Sequence, residues 1–268
     1  MIYDCFAFFN ELDLLELRLN ELSPVVDKFV LVEATRTFQK TLKPLYYQEN
    51  KDRYAAFHHK IIHIVVDEYP GFFAKFRIPN AWDYDNYQKE QIMKGLKECH
   101  EDDIVIISDL DEIPDPKKIK EFSQTPGIKI FEQKMFYYFF NYLAVKSLDL
   151  APDYWRGPVM LRKKDLKSIK HARMQRGEKG KNLTVIKNGG WHFSYLGGIE
   201  KIIKKIESIA HIEFNKDYYK DPARIEELIN SGNDLFDRDC RYKLIPVDET
   251  FPQYLRNNIS KFEHLIKK

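Results

Sequence analysis

The segment 104–114 constrains this chain most, because a run of aliphatic residues ends abruptly in three acids. Four consecutive β-branched residues at 104–107 predict a central strand that is covered on both faces. Asp109 and Asp111 follow where that strand ends, which is where ligands bind in open α/β sheets. The two prolines that come next predict the end of the strand.

Three carboxylates so close together predict a bound cation. Hard carboxylate oxygens suit Mg²⁺ or Mn²⁺, and these ions accompany phosphorylated substrates. The alternative is that the acids cap a following helix, since Asp115 precedes a lysine-rich helical segment. A cap needs one acid, however, whereas Asp109, Asp111 and Glu112 repel one another unless a cation or solvent separates them. We therefore predict a divalent metal at Asp109 and Asp111.

Composition bounds the class of protein. The 268 residues suffice for one large domain, and a net charge of +2 with 31% charged residues gives no global field that would imply nucleic acid. Three cysteines far apart fit neither a disulfide framework nor a zinc site, so we expect reduced thiols and a cytoplasmic protein. The apolar stretch 2–9 is too short to span a bilayer and predicts a first strand. No transmembrane segment is expected.

The order of elements predicts an α/β fold. Alternating strands and helices in the first hundred residues indicate a parallel sheet of the nucleotide-binding kind. The predicted strands are 2–9, 29–33, 61–66 and 104–108, with helices near 12–22 and 85–99, and shorter strands follow at 128–131, 159–162 and 184–187.

A helix is also predicted from residue 199 to residue 210. Its isoleucines keep helical spacing, which places Lys201, Lys204 and Lys205 on a solvated outer face. A helix lying on a membrane surface is the alternative interpretation of this pattern.

His192 is a second candidate for the site. It stands between aromatic residues, with paired glycines on both sides, in the segment 189–198. Glycines let backbone approach a ligand closely, and a histidine nitrogen is a competent ligand for Mn²⁺. A histidine packed in the core beside Trp191 is the alternative.

Five segments in this order resemble glycosyltransferase family 17, and the resemblance runs nearly end to end. It implies a GT-A type fold, that is, a Rossmann-like mixed sheet flanked by helices. It also implies an inverting reaction, a nucleotide-sugar donor with UDP-GlcNAc first, a divalent cation and an oligosaccharide or polysaccharide acceptor. The segments are residues 8–15 with Arg18 and Leu19, 32–34 with Thr37 and Phe38, 43–45, 108–114 and 190–194.

The resemblance assigns roles to the acids. The DxD motif of the family falls on Asp109 and Asp111, of which the second would ligate the metal and the first would contact ribose or a metal-bound water. Glu112 would support them from behind, and His192 would supply a third contact to metal or pyrophosphate. The helix before the strand departs from the family pattern, because it carries Gln88-Lys89-Glu90 where an arginine is expected, which leaves the charge but removes a bidentate fork.

Further donor contacts are expected at the ends of the first strands and in a basic loop. Helix capping, polarity at a sheet edge and a solvated loop are the alternatives for these residues. The loop 170–181 is glycine-hinged and could close over the pyrophosphate. The residues predicted to bind the donor are Asn10, Glu11, Glu33, Lys43, Arg173 and Arg176.

An inverting transfer also needs a carboxylate base for the acceptor hydroxyl. Asp237 is the first candidate because the resemblance includes an aromatic-Asp pair there, followed by Asp153 and Glu178. The alternative for each is a surface acid.

The implied organisation is a catalytic core, 1–198, with a helical C-terminal extension, 199–268. Within the core, 1–114 would bind the nucleotide sugar and 115–198 would face the acceptor. Two other functions compete: a haloacid-dehalogenase-like Mg²⁺ phosphatase, which also places two acids two residues apart, and a non-catalytic carbohydrate-binding protein, which would use Trp155 and the aromatic residues 136–142. The phosphatase motif has Thr or Val two residues after the second acid. This chain has Ile113 at that position, followed by Pro114.

Overall fold

Four parallel strands form the first half of the sheet, in the order β3-β2-β1-β4. The computed structural model describes residues 1–69, 80–146, 148–178, 180 and 182–268. The strands are β1 (Ile2–Phe8), β2 (Lys28–Ala34), β3 (Ile61–Val66) and β4 (Ile104–Asp109). The predicted parallel sheet is confirmed.

Strand β4 is covered on both faces, as its apolar run predicts. Ile104 and Ile106 pack into one hydrophobic cluster, and Val105 and Ile107 pack into another on the opposite face. Successive side chains of a strand point to opposite faces, so an unbroken aliphatic run needs two apolar layers. Helices on both sides of the sheet supply those layers.

The helices of this half are α1 (Leu12–Leu22), α2 (Tyr46–Glu49), α3 (Ala81–Glu90) and α4 (Ile92–Gly95). The predicted helix 85–99 is therefore displaced and divided. It begins earlier because Asn80 and Asp83 form a reciprocal capping box.

The second half of the sheet is antiparallel. β8 (Tyr154–Arg162) pairs with β4 and with β6 (Ile128–Tyr137), and β7 (Tyr142–Lys146) joins β6. The strands predicted at 128–131 and 159–162 are only the apolar parts of longer strands. Polar residues such as Gln133 and Arg156 continue the pairing beyond the apolar run, so hydrophobicity alone underestimates both lengths.

Two short strands, β5 (Glu112–Pro114) and β10 (Gly190–Ser194), join the turn that carries the acids to the rest of the sheet. β5 pairs antiparallel with β10, which also runs parallel to β6, and β9 (Leu183–Ile186) lies near the strand predicted at 184–187. β4 ends at Asp109 and the separate strand β5 ends at Pro114, so no strand continues past the prolines, as predicted. The pairing of β5 with β10 puts His192 opposite Glu112.

The C-terminal region is not wholly helical. It contains α7 (Ile199–Ile206), α8 (Asp217–Lys220), α9 (Pro222–Ser231) and α10 (Gln253–Asn257), but β11 (Cys240–Leu244) adds a strand to the sheet beside β7. Two further helices, α5 (Pro116–Phe122) and α6 (Ile169–Met174), belong to the preceding segment. Within the described ranges, no helix has the length and apolar character to cross a membrane. The mixed sheet flanked by helices is the architecture expected of a GT-A type fold.

Gly190→Ala should lower the free energy of unfolding by about 2 kcal/mol or more. A Cβ at this position would collide with the carbonyl oxygen of Ile113, and its φ of +133° is one that L side chains rarely adopt. Urea denaturation followed by circular dichroism measures the loss. Gly177→Ala is the control, because a Cβ there meets no described atom within 4 Å, and it should change stability by less than about 0.5 kcal/mol. Equal stability of the two variants would contradict the packing.

Candidate active site

A cleft of about 640 Å³ opens at the carboxyl ends of the parallel strands. It contains predicted residues from distant parts of the chain, including Glu11, Asp109, Asp111 and His192. A separate hollow of about 750 Å³ lies beside α1, α5 and α10, and its described lining includes none of the predicted site residues. The cleft is therefore the candidate active site, and it lies where α/β sheets bind ligands.

A fully buried arginine, Arg18 of α1, shapes the turn that carries the acids. Its Nε and Nη2 donate to both carboxylate oxygens of Asp4, at 2.8 and 2.6 Å. Its Nη1 donates to the backbone carbonyls of Asp109, Leu110 and Glu112, at 3.0, 3.0 and 2.9 Å. Carbonyls in a tight turn have no strand partners, so the guanidinium satisfies groups that would otherwise be buried without hydrogen bonds.

Asp109 is held by side chains from two helices. Arg173 Nη2 of α6 lies 2.8 Å from its Oδ2, and Lys89 Nζ of α3 lies 3.1 Å from its Oδ1. Burial would raise the pKa of this carboxyl, but Arg173 and Lys89 outweigh burial and hold the pKa well below its usual range. Asp109 is therefore ionised at neutral pH.

Asp111 has two partners of its own. Lys205 Nζ of α7 lies 2.9 Å from its Oδ2, and His192 Nε2 of β10 lies 3.6 Å from its Oδ1. Burial raises the pKa of Asp111, but Lys205 and His192 lower the pKa by more than burial raises it. The net pKa of Asp111 is therefore well below the ordinary value. The second acid of the pair is also a carboxylate at neutral pH.

Glu112 lies behind the two aspartates, where the family resemblance expects it. Its Oε2 accepts the backbone N–H of Asp109 at 2.8 Å, and its Oε1 accepts the indole N–H of Trp155 at 2.6 Å. Arg176 Nη2 lies 2.7 Å from Oε2. With 1% exposure and every oxygen bonded, Glu112 orients the turn and Trp155 and does not face a substrate.

The donor set of the cleft suits a divalent cation that is shared with a phosphorylated substrate. Asp111 and His192 present a carboxylate oxygen and a ring nitrogen to the same space, and Nδ1 of His192 is buried with no hydrogen-bond partner among the described residues. The described part of the chain contains no group of three or more His, Cys, Asp or Glu side chains that could hold a metal alone. Mg²⁺ and Mn²⁺ sites often use only one or two protein ligands and complete their shell with substrate phosphates and water.

The other predicted donor-binding residues are distributed unevenly. Arg173, Arg176, Lys43 and Glu11 line the cleft. Asn10 lines a small adjoining hollow instead. The segment 170–181, predicted as a loop, is helical up to Gly177, through α6 and the 3-10 turn Gln175–Gly177, and residues 179 and 181 lie outside the described residues.

Glu33 is not included in the described lining of the cleft. It is fully buried, accepts the backbone N–H of Tyr47 at 3.0 Å and lies 3.7 Å from Lys43 Nζ. Glu33 supports Lys43 from behind. A direct donor contact would require both to move.

The structure does not bring the candidate bases to the cleft. Asp237 lies on an exposed turn, 2.7 Å from Arg224 Nη2, and Asp153 accepts its neighbouring backbone N–H at the start of β8. Glu178 is exposed, one residue beyond Gly177 at the cleft edge. None of the three lies in the described lining of the cleft, and an acid in a polar loop carries no sequence signal for the direction it faces. The carboxylates within the described lining, apart from the three acids of the turn, are Glu11 and Asp85.

Lys205, Lys89 and Trp155 are among the cleft residues that sequence does not assign to the site. The expectation that Lys205 is solvated on an outer face is wrong, because its side chain is 18% exposed and contacts Asp111. Lys89 was noted only as a replacement for an arginine, and Trp155 only as an aromatic residue. An isolated lysine or tryptophan carries no positional pattern, so only the fold reveals these contacts.

The lining of the cleft has more cations than acids. In the described lining, five side chains are carboxylates and seven are lysine or arginine. Because the cations are in excess, the cleft favours an anionic ligand. The seven are Arg36, Lys43, Lys89, Arg156, Arg173, Arg176 and Lys205.

Comparison with known proteins decides the family. The model for glycosyltransferase family 17 matches residues 1–267. The chain belongs to this family. The resemblance inferred from the five sequence segments is thereby confirmed.

Curated relatives agree with this assignment. The β-1,4-mannosyl-glycoprotein 4-β-N-acetylglucosaminyltransferase of Rattus norvegicus is 27% identical over 290 residues, which cover 96% of this chain and 53% of the relative. The enzyme of that name from Homo sapiens is 27% identical over 289 residues, with the same coverage of 96% and 53%. The chain spans about half the length of these relatives.

Solved structures show weaker likenesses. HddC from Yersinia pseudotuberculosis has a TM-score of 0.40 at 12% identity, covering 69% of this chain and 89% of that one. The inositol-1-phosphate CTP transferase from T. maritima has a TM-score of 0.40 at 17% identity, covering 78% and 97%. The galactosyltransferase LgtC has a TM-score of 0.35 at 12% identity, covering 68% and 72%. The family 17 assignment rests on sequence and not on these likenesses.

Arg18→Lys should lower the free energy of unfolding by about 3 kcal/mol or more. Lysine keeps the charge but cannot bond Asp4 through two parallel N–H groups and reach the three carbonyls of the turn as well. Urea unfolding measures the loss. Arg53→Lys is the matched control, because that side chain is 32% exposed, and it should cost less than about 1 kcal/mol. A variant at position 18 as stable as the control would refute the clamp.

Proposed function

We propose that this chain is an inverting glycosyltransferase that moves GlcNAc from UDP-GlcNAc to a hydroxyl of a glycan acceptor, with the help of Mn²⁺ or Mg²⁺. The observation that carries the proposal is the meeting of Asp109, Asp111 and His192 in a cleft whose lining has an excess of cations. Membership of family 17 and the names of the relatives support the reaction and the sugar. The haloacid-dehalogenase-like phosphatase and the non-catalytic carbohydrate-binding protein have no comparable support.

A diphosphate fits the charge of the cleft. Arg173 and Arg176 come from α6 and the turn that follows it, and they contact Asp109 and Glu112, whereas Lys205 contacts Asp111. Guanidinium groups bind phosphate oxygens in pairs, which fixes the orientation of the leaving group as well as its charge. These cations would stabilise the charge that accumulates on the nucleoside diphosphate as the sugar leaves.

Asp111 and His192 are the residues that would hold the metal. The bound ion would act as a Lewis acid on the diphosphate oxygens. Asp109, whose oxygens are occupied by Arg173 and Lys89, is placed to hold these cations towards the donor. Glu112 keeps the turn in the shape that both roles need.

The acceptor would lie against Trp155. Its side chain is 41% exposed at the cleft, its indole N–H is fixed by Glu112, and its ring centroid lies 5.4 Å from that of His192. An aromatic ring held in one orientation gives a sugar a flat apolar surface next to the reacting groups. Glu11 and Asp85 are the cleft carboxylates from which the base would come, each already close to a lysine. A cytoplasmic setting, inferred from the three cysteines, remains a prediction.

Asp111→Asn should reduce transfer at least about a hundredfold while the melting temperature changes little, because a metal ligand loses its charge without a change of shape. A radiolabelled sugar-transfer assay at saturating Mn²⁺ measures the loss. Asp237→Asn serves as the control, because that aspartate lies outside the described lining and keeps an Asn-tolerant positive φ of 57°. Normal activity in a folded Asp111→Asn protein would remove the metal assignment.

Among nucleoside diphosphates, UDP should bind most tightly, by at least about tenfold over GDP and CDP. Calorimetry in the presence of Mn²⁺ gives the three dissociation constants. Each nucleotide carries the same diphosphate, so a difference reports the base pocket alone. Equal affinities would leave the diphosphate site intact and overturn the choice of uridine.

A further inference from the structure

Lys205 of α7 contacts two carboxylates of the cleft. Its Nζ lies 2.9 Å from Oδ2 of Asp111 and 3.5 Å from Oε1 of Glu11, and it stands 5.1 Å from the centre of the Tyr195 ring. The side chains of Lys205 and Asp111 are 18% and 12% exposed, so this ion pair is largely screened from solvent. Lys205 is therefore the partner of the second aspartate of the turn.

The neighbouring lysines of α7 have other partners. Lys201 is 50% exposed, with Nζ 3.9 Å from Asp13 Oδ2, and Lys204 donates to the hydroxyl of Tyr46 at 2.5 Å. Both are spaced along the same helix as Lys205, yet neither contacts Asp111 among the described contacts. The contact is specific to position 205, and Lys201 offers a matched comparison.

We propose that Lys205 is an internal counter-ion that pairs with Asp111 and passes to the donor diphosphate when a metal binds that carboxylate. This inference rests on the proposed function, because it requires a divalent cation and a diphosphate in this cleft. It extends that function, since it assigns Lys205 the coupling of metal binding to donor binding.

The reason is electrostatic. A divalent ion on Asp111 and the ammonium of Lys205 would share one carboxylate, and two cations so close repel strongly in a partly buried site. Lys205 must then leave, and without a new anion it would lose its main partner. The diphosphate supplies that anion, so metal and donor each remove an obstacle for the other. Metal alone should therefore bind weakly, and metal with donor should bind tightly.

The test measures affinity and not turnover. Calorimetry or Mn²⁺ electron paramagnetic resonance gives the dissociation constant of Mn²⁺ with and without UDP, for the wild type and for Lys205→Met. We expect Lys205→Met to bind Mn²⁺ alone at least about threefold more tightly than the wild type, because the competitor is gone. In saturating Mn²⁺ it should bind UDP at least about tenfold more weakly, because the diphosphate loses a cation.

Two variants separate this role from a structural one. Lys201→Met removes a lysine one turn earlier and should leave both constants within about twofold of the wild type. Lys205→Arg keeps a cation and should keep Mn²⁺ binding weak in the empty cleft, even if Lys205→Met proves poorly folded. Melting temperatures on the same preparations report folding.

The outcomes are distinct. Opposite shifts, tighter for Mn²⁺ alone and weaker for UDP, support the exchange of partners. Shifts in the same direction, or an Mn²⁺ affinity unchanged by Lys205→Met, overturn it while the proposed function stands. A wild-type protein that binds neither Mn²⁺ nor UDP overturns the proposed function, and the role of Lys205 with it.

Discussion

A buried charge pair between α1 and β1 determines the shape of the DxD turn. Arg18 is fully buried. One edge of its guanidinium donates hydrogen bonds to Asp4, and another donates to backbone carbonyls at the end of β4 and in the turn that follows. A buried charge is stable only when its hydrogen-bond donors have partners. Asp4 and the turn therefore stabilise the buried Arg18, and Arg18 in turn fixes the conformation of the turn. Asp109, Asp111 and Glu112 point in three directions because their backbone is held in this way.

Much of this arrangement follows from local sequence. An unbroken β-branched run needs two apolar layers, and three acids at its end need separate partners, so β4 and the acidic turn after it are predictable from residues 104–112. His192 is also predictable, because paired glycines around it allow close backbone approach. Gly190 shows why, since β10 meets β5 where a side chain would strike Ile113. These features depend on neighbouring residues in the chain, so a single sequence is enough to predict them.

The partners of the acids are harder to infer. Lys205 sits on α7 beside two other lysines, and the hydrophobic period of the helix gives the buried isoleucines but not which lysine meets an acid almost a hundred residues earlier. The three base candidates lie outside the described lining of the cleft for a related reason, because the position of an acid in a loop depends on which surface the loop reaches. Strand length is misjudged where polar residues pair, as in β6 and β8. Each of these features depends on contacts between residues that are distant in the sequence.

The two aspartates of the cleft are paired with cations of the same chain. Lys205 occupies Asp111, and Arg173 with Lys89 occupies Asp109, so the carboxylates stay ionised without an exogenous cation. A ligand must therefore replace existing ion pairs when it binds. This requirement lowers the affinity of the cleft for a cation alone or an anion alone. A metal and a diphosphate together would restore every pairing, since the released lysine and arginines would gain phosphate oxygens while the acid would gain the metal. Internal ion pairs in such a site act as a filter for ligands that bring both charges.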